Sequence, residues 1–142
     1  MKSDMPRIRF PHWLAALAAV YFLASLAHFS HNAAYIAFYP GLPRWITPEN
    51  VWLAWLGITG IGVVALLLAW LRRSAPALAV LGIYGAFGLD GLAHYTLALC
   101  SEHTFVANLT IWSEAGTGLA LLLASALLLV RRLGGMKDHV AA

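Results

Sequence analysis

Of the 142 residues, 61% are hydrophobic and 11% are charged, and the mean hydropathy is +0.76. A water-soluble domain carries about 25% charged residues, so a soluble enzyme or freely diffusing binding module is excluded by composition. The net charge of +3 does not indicate nucleic acid, because the basic residues sit in groups beside apolar runs and form no stripe interleaved with aromatics.

The first apolar run, WLAALAAVYFLASLAHFSHNAAYIAFY, covers roughly 13–39. It is long enough to cross a hydrocarbon core of ~30 Å with some tilt. A basic start followed by SLA also admits a signal peptide cleaved after Ala27, but the apolar character continues well past that point. The segment PGLPRWITPEN follows, and Pro40, Gly41, Pro43 and Pro48 make 40–50 a loop. The second run, roughly 51–71, ends at Arg72 and Arg73. Ser74 is placed to cap the next helix, with Pro76 in its first turn. The third run is expected as one helix over roughly 76–99, and CSEHT makes a short polar turn. The fourth covers roughly 105–130 and stops at Arg131 and Arg132, leaving a frayed tail.

The expected fold is therefore all-α: an integral-membrane four-helix up-down bundle, with residues 1–142 forming one domain. Lys2, Arg7 and Arg9 precede the first run, Arg72 and Arg73 follow the second, and Arg131, Arg132 and Lys137 follow the fourth. Positive-inside counting puts both termini and the 72–75 turn in the cytoplasm. The 40–50 loop and the 100–104 turn then face outward, toward the periplasm of a bacterial inner membrane. Trp45, Trp52 and Trp55 mark the outer boundary, and Trp13 and Trp70 the inner one. The series Gly57, Gly60, Gly62 and Gly82, Gly85, Gly88, Gly91 allows close helix approach, within one bundle or at a homo-oligomer seam. The single cysteine, Cys100, cannot form an internal disulfide.

The ionisable residues inside the runs are His28, His31, Asp90, His94 and Glu114. A charge at the centre of a bilayer costs ~2.5–3.5 kcal/mol on insertion scales, so each implies a partner or a function. Counting inward from the outer helix ends at ~1.5 Å per residue puts His28, Asp90 and Glu114 about 15 Å deep. His31 and His94 come about one turn shallower. His28 and His31 are i, i+3 and Asp90 and His94 are i, i+4, so regular helices put each pair on one side. Tyr21, Asn32 and Tyr35 lie on or beside the first stripe, and Glu114 shares its side with Thr110, Thr117 and Gly118. The second run offers only Thr59 near that depth and reads as a wall.

Three imidazoles and two carboxylates at one depth are a donor set for a divalent metal, zinc or iron first and copper(II) next. The expected metal ligands are His28, His31, Asp90, His94 and Glu114. The expected function is metal-dependent catalysis, as a membrane hydrolase or oxygenase acting on a small or amphiphilic substrate. Glu114 or Asp90 then acts as general base toward a metal-activated water. Competing uses are a non-enzymatic metal or proton transfer protein, a haem-binding subunit with His94 facing His28 or His31, and a polar clasp in an accessory subunit. His12 and His139 read as inner-face or tail residues, and Glu102 and His103 as solvent-exposed turn residues with an entry funnel as the alternative. Tyr35, Tyr95 and Asn108 are candidates for supporting hydrogen bonds, the tyrosines also as interface aromatics.

Overall fold

The computed structural model describes residues 11–138, with side chains through 134. Lys2, Arg7, Arg9 and His139 and the side chain of Lys137 lie outside that description. Among the described residues the chain is all-helical, without a strand. It contains four helices long and apolar enough to cross a membrane: His12–Ala34, Pro48–Trp70, Ser74–Leu97 and Phe105–Gly134.

Helix α1 (His12–Ala34) stops five residues before the expected end of the first run. A short 3₁₀ turn, Ile36–Phe38, follows, and Tyr39 is extended at φ −92°, ψ 106°. Pro40 is the cause, since its ring crowds the preceding residue out of the helical region. The chain folds back here, and Tyr39 becomes a core residue. Gly41 adopts φ +75° against Leu97; a Cβ there would lie 2.7 Å from the Leu97 carbonyl oxygen, so this loop needs glycine at the contact.

Helix α2 (Pro48–Trp70) begins with Pro48 in its first turn, and the Thr47 hydroxyl accepts from the Asn50 N–H. It ends without glycine. Arg72 takes φ 60°, and the Arg73 N–H reaches the Leu68 carbonyl at 2.8 Å. This six-to-one bond is the Schellman closure. Helix α3 (Ser74–Ala86) starts at Ser74 itself, so the expected serine cap is not made; Arg73 occupies the cap position with no side-chain bond.

The third run is not one α-helix. After α3 it tightens into 3₁₀ winding over Phe87–Ala93, then makes a single α turn, α4 (His94–Leu97). At ~3.0 residues per turn, residues three apart eclipse. Gly88, Gly91 and His94 therefore share the inward face, and all three are buried. Asp90 and His94, four apart, fall about 120° from one another at this winding. The shared side expected for them does not form, and Asp90 is exposed. A third 3₁₀ turn, Cys100–Glu102, leads into α5 (Phe105–Asp138), which runs past Arg131 and Arg132 rather than stopping there.

Helix α5 packs against α1 and α3, and α2 against α3 and α1. Neighbours along α3 and α5 run in opposite order: Gly82 meets Ser125, Gly85 meets Leu122, and Gly91 meets Glu114. The two helices are thus antiparallel and nearly in backbone contact. A Cβ on Gly85 would sit 2.7 Å from the Gly118 oxygen, and one on Gly88 would sit 2.9 Å from the Glu114 oxygen. Leu14, Tyr21, Leu81, Tyr84 and Leu121 fill the core between α1, α3 and α5. The outer surface is as apolar as the core, with Leu23, Leu53, Leu66, Ile83, Trp112 and Leu123 all exposed.

Candidate functional site

Each long helix except α2 contributes to one polar cluster near the 3₁₀ segment. From α5 comes Glu114, 1% exposed, and from α1 His28, 2% exposed. The Nε2 of His28 lies 3.7 Å from Oε2 of Glu114. Neither oxygen of Glu114 has a hydrogen-bond partner among the described residues. Ser25, one turn inward of His28, lies beside both Glu114 and Tyr21. Gly91 faces the pair across the bundle, where a Cβ would come 3.3 Å from Oε2 and 3.8 Å from Nε2. Its missing side chain is what gives the pair its room.

The hydrogen bonds around the imidazoles fix their tautomers. Thr110 donates its hydroxyl proton to the Ala107 carbonyl at 2.9 Å. Its oxygen can then only accept from His28 Nδ1, 3.4 Å away. On this network the proton of a neutral His28 is assigned to Nδ1, which leaves the Nε2 lone pair turned toward Glu114. His103 is set the same way: its Nδ1 donates to the Leu99 carbonyl at 3.0 Å, which leaves a lone pair on a buried, unpartnered Nε2.

His94 sits between these two. Its ring centre is 5.5 Å from that of His28 and 6.1 Å from that of His103. The Asn32 amide lies 3.2 Å from His94 Nε2. Asn32 Oδ1 and His94 Nδ1 are both left without partners. Exchanging the amide oxygen and nitrogen, which are nearly indistinguishable by position, lets Oδ1 accept from Nε2–H. That choice pairs the oxygen and puts a lone pair on Nδ1.

The other expected residues go elsewhere. His31 turns to Tyr39, with Nδ1 2.7 Å from the phenol oxygen. Asp90 is exposed and makes no hydrogen bond to the cluster, although its charge is within reach of Glu114. Thr117 bonds back to the Ser113 carbonyl at 2.6 Å, away from Glu114's carboxylate. Thr59 remains on α2, whose residues do not enter the cluster. Asn108 accepts from Tyr95 at 2.7 Å and donates to the Cys100 carbonyl at 3.0 Å, which ties the 100–104 turn to α5. Tyr35 is exposed and stacks beside His31.

Two contributors were hidden in the sequence. Tyr39, counted as the end of the first run, folds back with its ring 4.9 Å from that of His94. Pro40 was the available signal. His103, expected in solvent, is 6% exposed. The Glu102 carboxylate accepts from the Leu99 N–H at 2.7 Å and closes the turn, which sends His103 inward. Burial pushes the Tyr39 hydroxyl from its ordinary value near 10 up to about 12.

Among the described residues no three His, Cys, Asp or Glu side chains converge closely enough to hold one metal ion as they stand. What the cluster does present is a pair of facing acceptors, His28 and Glu114, and two further buried imidazoles with free nitrogens. These features define an all-helical protein with four apolar helices of membrane-crossing length and a buried histidine–carboxylate core. No protein-family model, no curated protein and no solved structure matches the chain.

Proposed function

We propose that this chain is an integral-membrane metalloprotein whose polar core binds a divalent cation. The membrane reading is supported by the apolar outer surface, which a surrounding hydrocarbon tolerates and water does not. The arginine pairs at 72–73 and 131–132 favour an orientation with that end in the cytoplasm of a bacterial inner membrane. The polar core then leans toward the periplasm.

One observation carries the metal reading. His28 Nε2 and Glu114 Oε2 face each other with acceptor atoms at 3.7 Å and no hydrogen bond between them. Two buried acceptors in that relation need a proton or a cation between them, and unsatisfied buried polar groups of this kind point to an ion, a water or a catalytic role. Ligand distances of ~2.0–2.2 Å to zinc put two adjacent donor atoms about 3.3–3.7 Å apart. His94 stands beside this pair, its ring centre 5.5 Å from that of His28. Thr110 and Asn32 hold the far nitrogens of His28 and His94, as supporting partners of ligating histidines do. Zinc or iron fits this donor set first, then copper(II).

The use assigned to the site is catalysis on a small or amphiphilic substrate arriving from the outer side, by hydrolysis or oxygen chemistry. A bound divalent ion supplies a water ionised near neutral pH. Glu114 directs one oxygen toward His28, and its other oxygen is free to take a proton from that water. Asp90, off the cluster, has no part in this reading. A second, non-enzymatic reading is transfer of the ion, favoured by the line of rings from His28 through His94 to His103.

Elemental analysis of the purified protein tests the reading, alongside His28→Gln and Glu114→Gln. Wild type is expected to retain a zinc or iron ion through dialysis, and each variant to lose affinity by at least about 10–100-fold. Metal-free wild type, or variants that hold metal equally well, would falsify it.

A further inference from the structure

His103 is not needed by the inner pair, yet it is buried, its tautomer is fixed, and its one free nitrogen is unpartnered. His94 Nδ1 is unpartnered as well. Their ring centres are 6.1 Å apart and inclined at 73°. Two imidazoles on one ion, at ~2.0–2.1 Å from each nitrogen, have ring centres roughly 5–6.4 Å apart, depending on the angle at the metal. The pair is walled by aromatic rings: Tyr39 stands 4.9 Å from His94 and 6.2 Å from His103, and Tyr95 stands 5.4 Å from His103. Two buried imidazoles with unsatisfied nitrogens are costly unless something binds them.

We infer that His94 and His103 form a second, outer position for a divalent, imidazole-seeking cation such as zinc or copper(II). The ion passes through it on the way to His28 and Glu114. His94 is the shared member, one ring from His28 and one ring from His103, so it hands the ion inward by exchanging partners. His103 opens this route at the 100–104 turn, where Cys100 and Glu102 are exposed. The outer position has two neutral imidazoles whereas the inner one has the Glu114 carboxylate, so the inner one is tighter and the ion is directed inward. The inference rests on the metal reading of the inner pair, and the experiment separates the two.

Wild-type protein in nanodiscs is first loaded with one equivalent of Zn²⁺, then titrated with Co²⁺, whose visible absorption reports nitrogen coordination. The expected result is a second, weaker equivalent in wild type. In His103→Gln its affinity falls by at least about tenfold, and uptake of the first equivalent slows. A wild-type protein that takes one ion and no second overturns the inference and leaves the inner site standing. So does a second equivalent unaffected in His103→Gln with the first loading at the wild-type rate. A wild-type protein that binds no ion overturns both. The wild-type titration decides the matter even if His103→Gln fails to fold.

Discussion

The bundle has two halves that solve the same packing problem differently. Toward the arginine end, α3 and α5 are regular helices drawn together by Gly82, Gly85 and Gly118, with Leu81, Tyr84 and Leu121 filling the remaining space. That half is apolar, and between α1 and α2 it keeps a cleft of about 320 Å³ lined by Ala15, Ala18, Phe22, Gly62, Val63 and Tyr84. Toward the loop end, α1 breaks at Tyr35, the third run changes its winding at Phe87, and the ionisable side chains collect. His28 and Glu114 project from the regular helices α1 and α5, whereas Tyr39, His94 and His103 come from stretches where the regular helix has been given up. The arginine-end half is the clamp that keeps this arrangement in place.

The comparison breaks most severely at Gly88, where the two halves meet. A Cβ there would lie 2.8 Å from the Tyr21 ring, 2.9 Å from the Glu114 backbone oxygen and 3.0 Å from the Gly118 Cα. Two of these three are backbone, so α5 must shift. Gly88→Ala is expected to destabilise by about 1–3 kcal/mol or more in micelle unfolding, and to weaken metal retention at the same time.

Tyr39→Phe tests the loop end alone. It removes the 2.7 Å bond to His31 and is expected to cost about 1 kcal/mol near neutral pH. The sign of its pH dependence follows from burial. Folding raises the Tyr39 hydroxyl from near 10 to about 12, so the unfolded chain ionises first. Stability from the neutral phenol is complete below pH 10 and is lost as pH rises toward 12. Urea midpoints for wild type and Tyr39→Phe should converge across that window; parallel curves would place the phenol in solvent.

Gly60→Ala is the control for the clamp. Nothing lies within 4 Å of a Cβ at Gly60, so the exchange should stabilise α2 by up to about 1 kcal/mol, through helix propensity. A loss of stability would show that an unseen surface packs on it.

Asp90→Asn should change least. The side chain is exposed, so metal affinity should stay within about twofold, and removing a charge from the face turned to lipid should not lower stability. A drop comparable to that of Glu114→Gln would mean that Asp90 turns inward and that the third run winds as an ordinary α-helix.

Much of this was legible beforehand for plain reasons. Run length and hydropathy locate four helices, and the price of an ionisable group in hydrocarbon singles out His28, His31, Asp90, His94 and Glu114. Of these the structure puts His28 beside Glu114 and His94, with His31 turned to Tyr39 and Asp90 exposed. What failed was everything that needed the local winding. A heptad-style reading puts Asp90 beside His94, and only the 3₁₀ period separates them. No residue in FGLDGLA announces that period, and its glycines lie against α5. His103 was misjudged because a polar turn suggests solvent, whereas its burial depends on the bond from Leu99 to Glu102. Tyr39 was lost by treating an apolar residue before proline as helix.

The winding of Phe87–Ala93 has a mechanical side. Seven residues rise about 14 Å at ~2.0 Å each in 3₁₀ form and about 10.5 Å at ~1.5 Å each in α form. The third crossing is thus some 3.5 Å taller than its residue count suggests. With the chain in a bilayer as proposed, a thinner membrane would press that stretch to recoil, and recoiling would swing the histidine at its top out of register with its neighbours. Membrane thickness would then act on the shape of the polar core through a single strut.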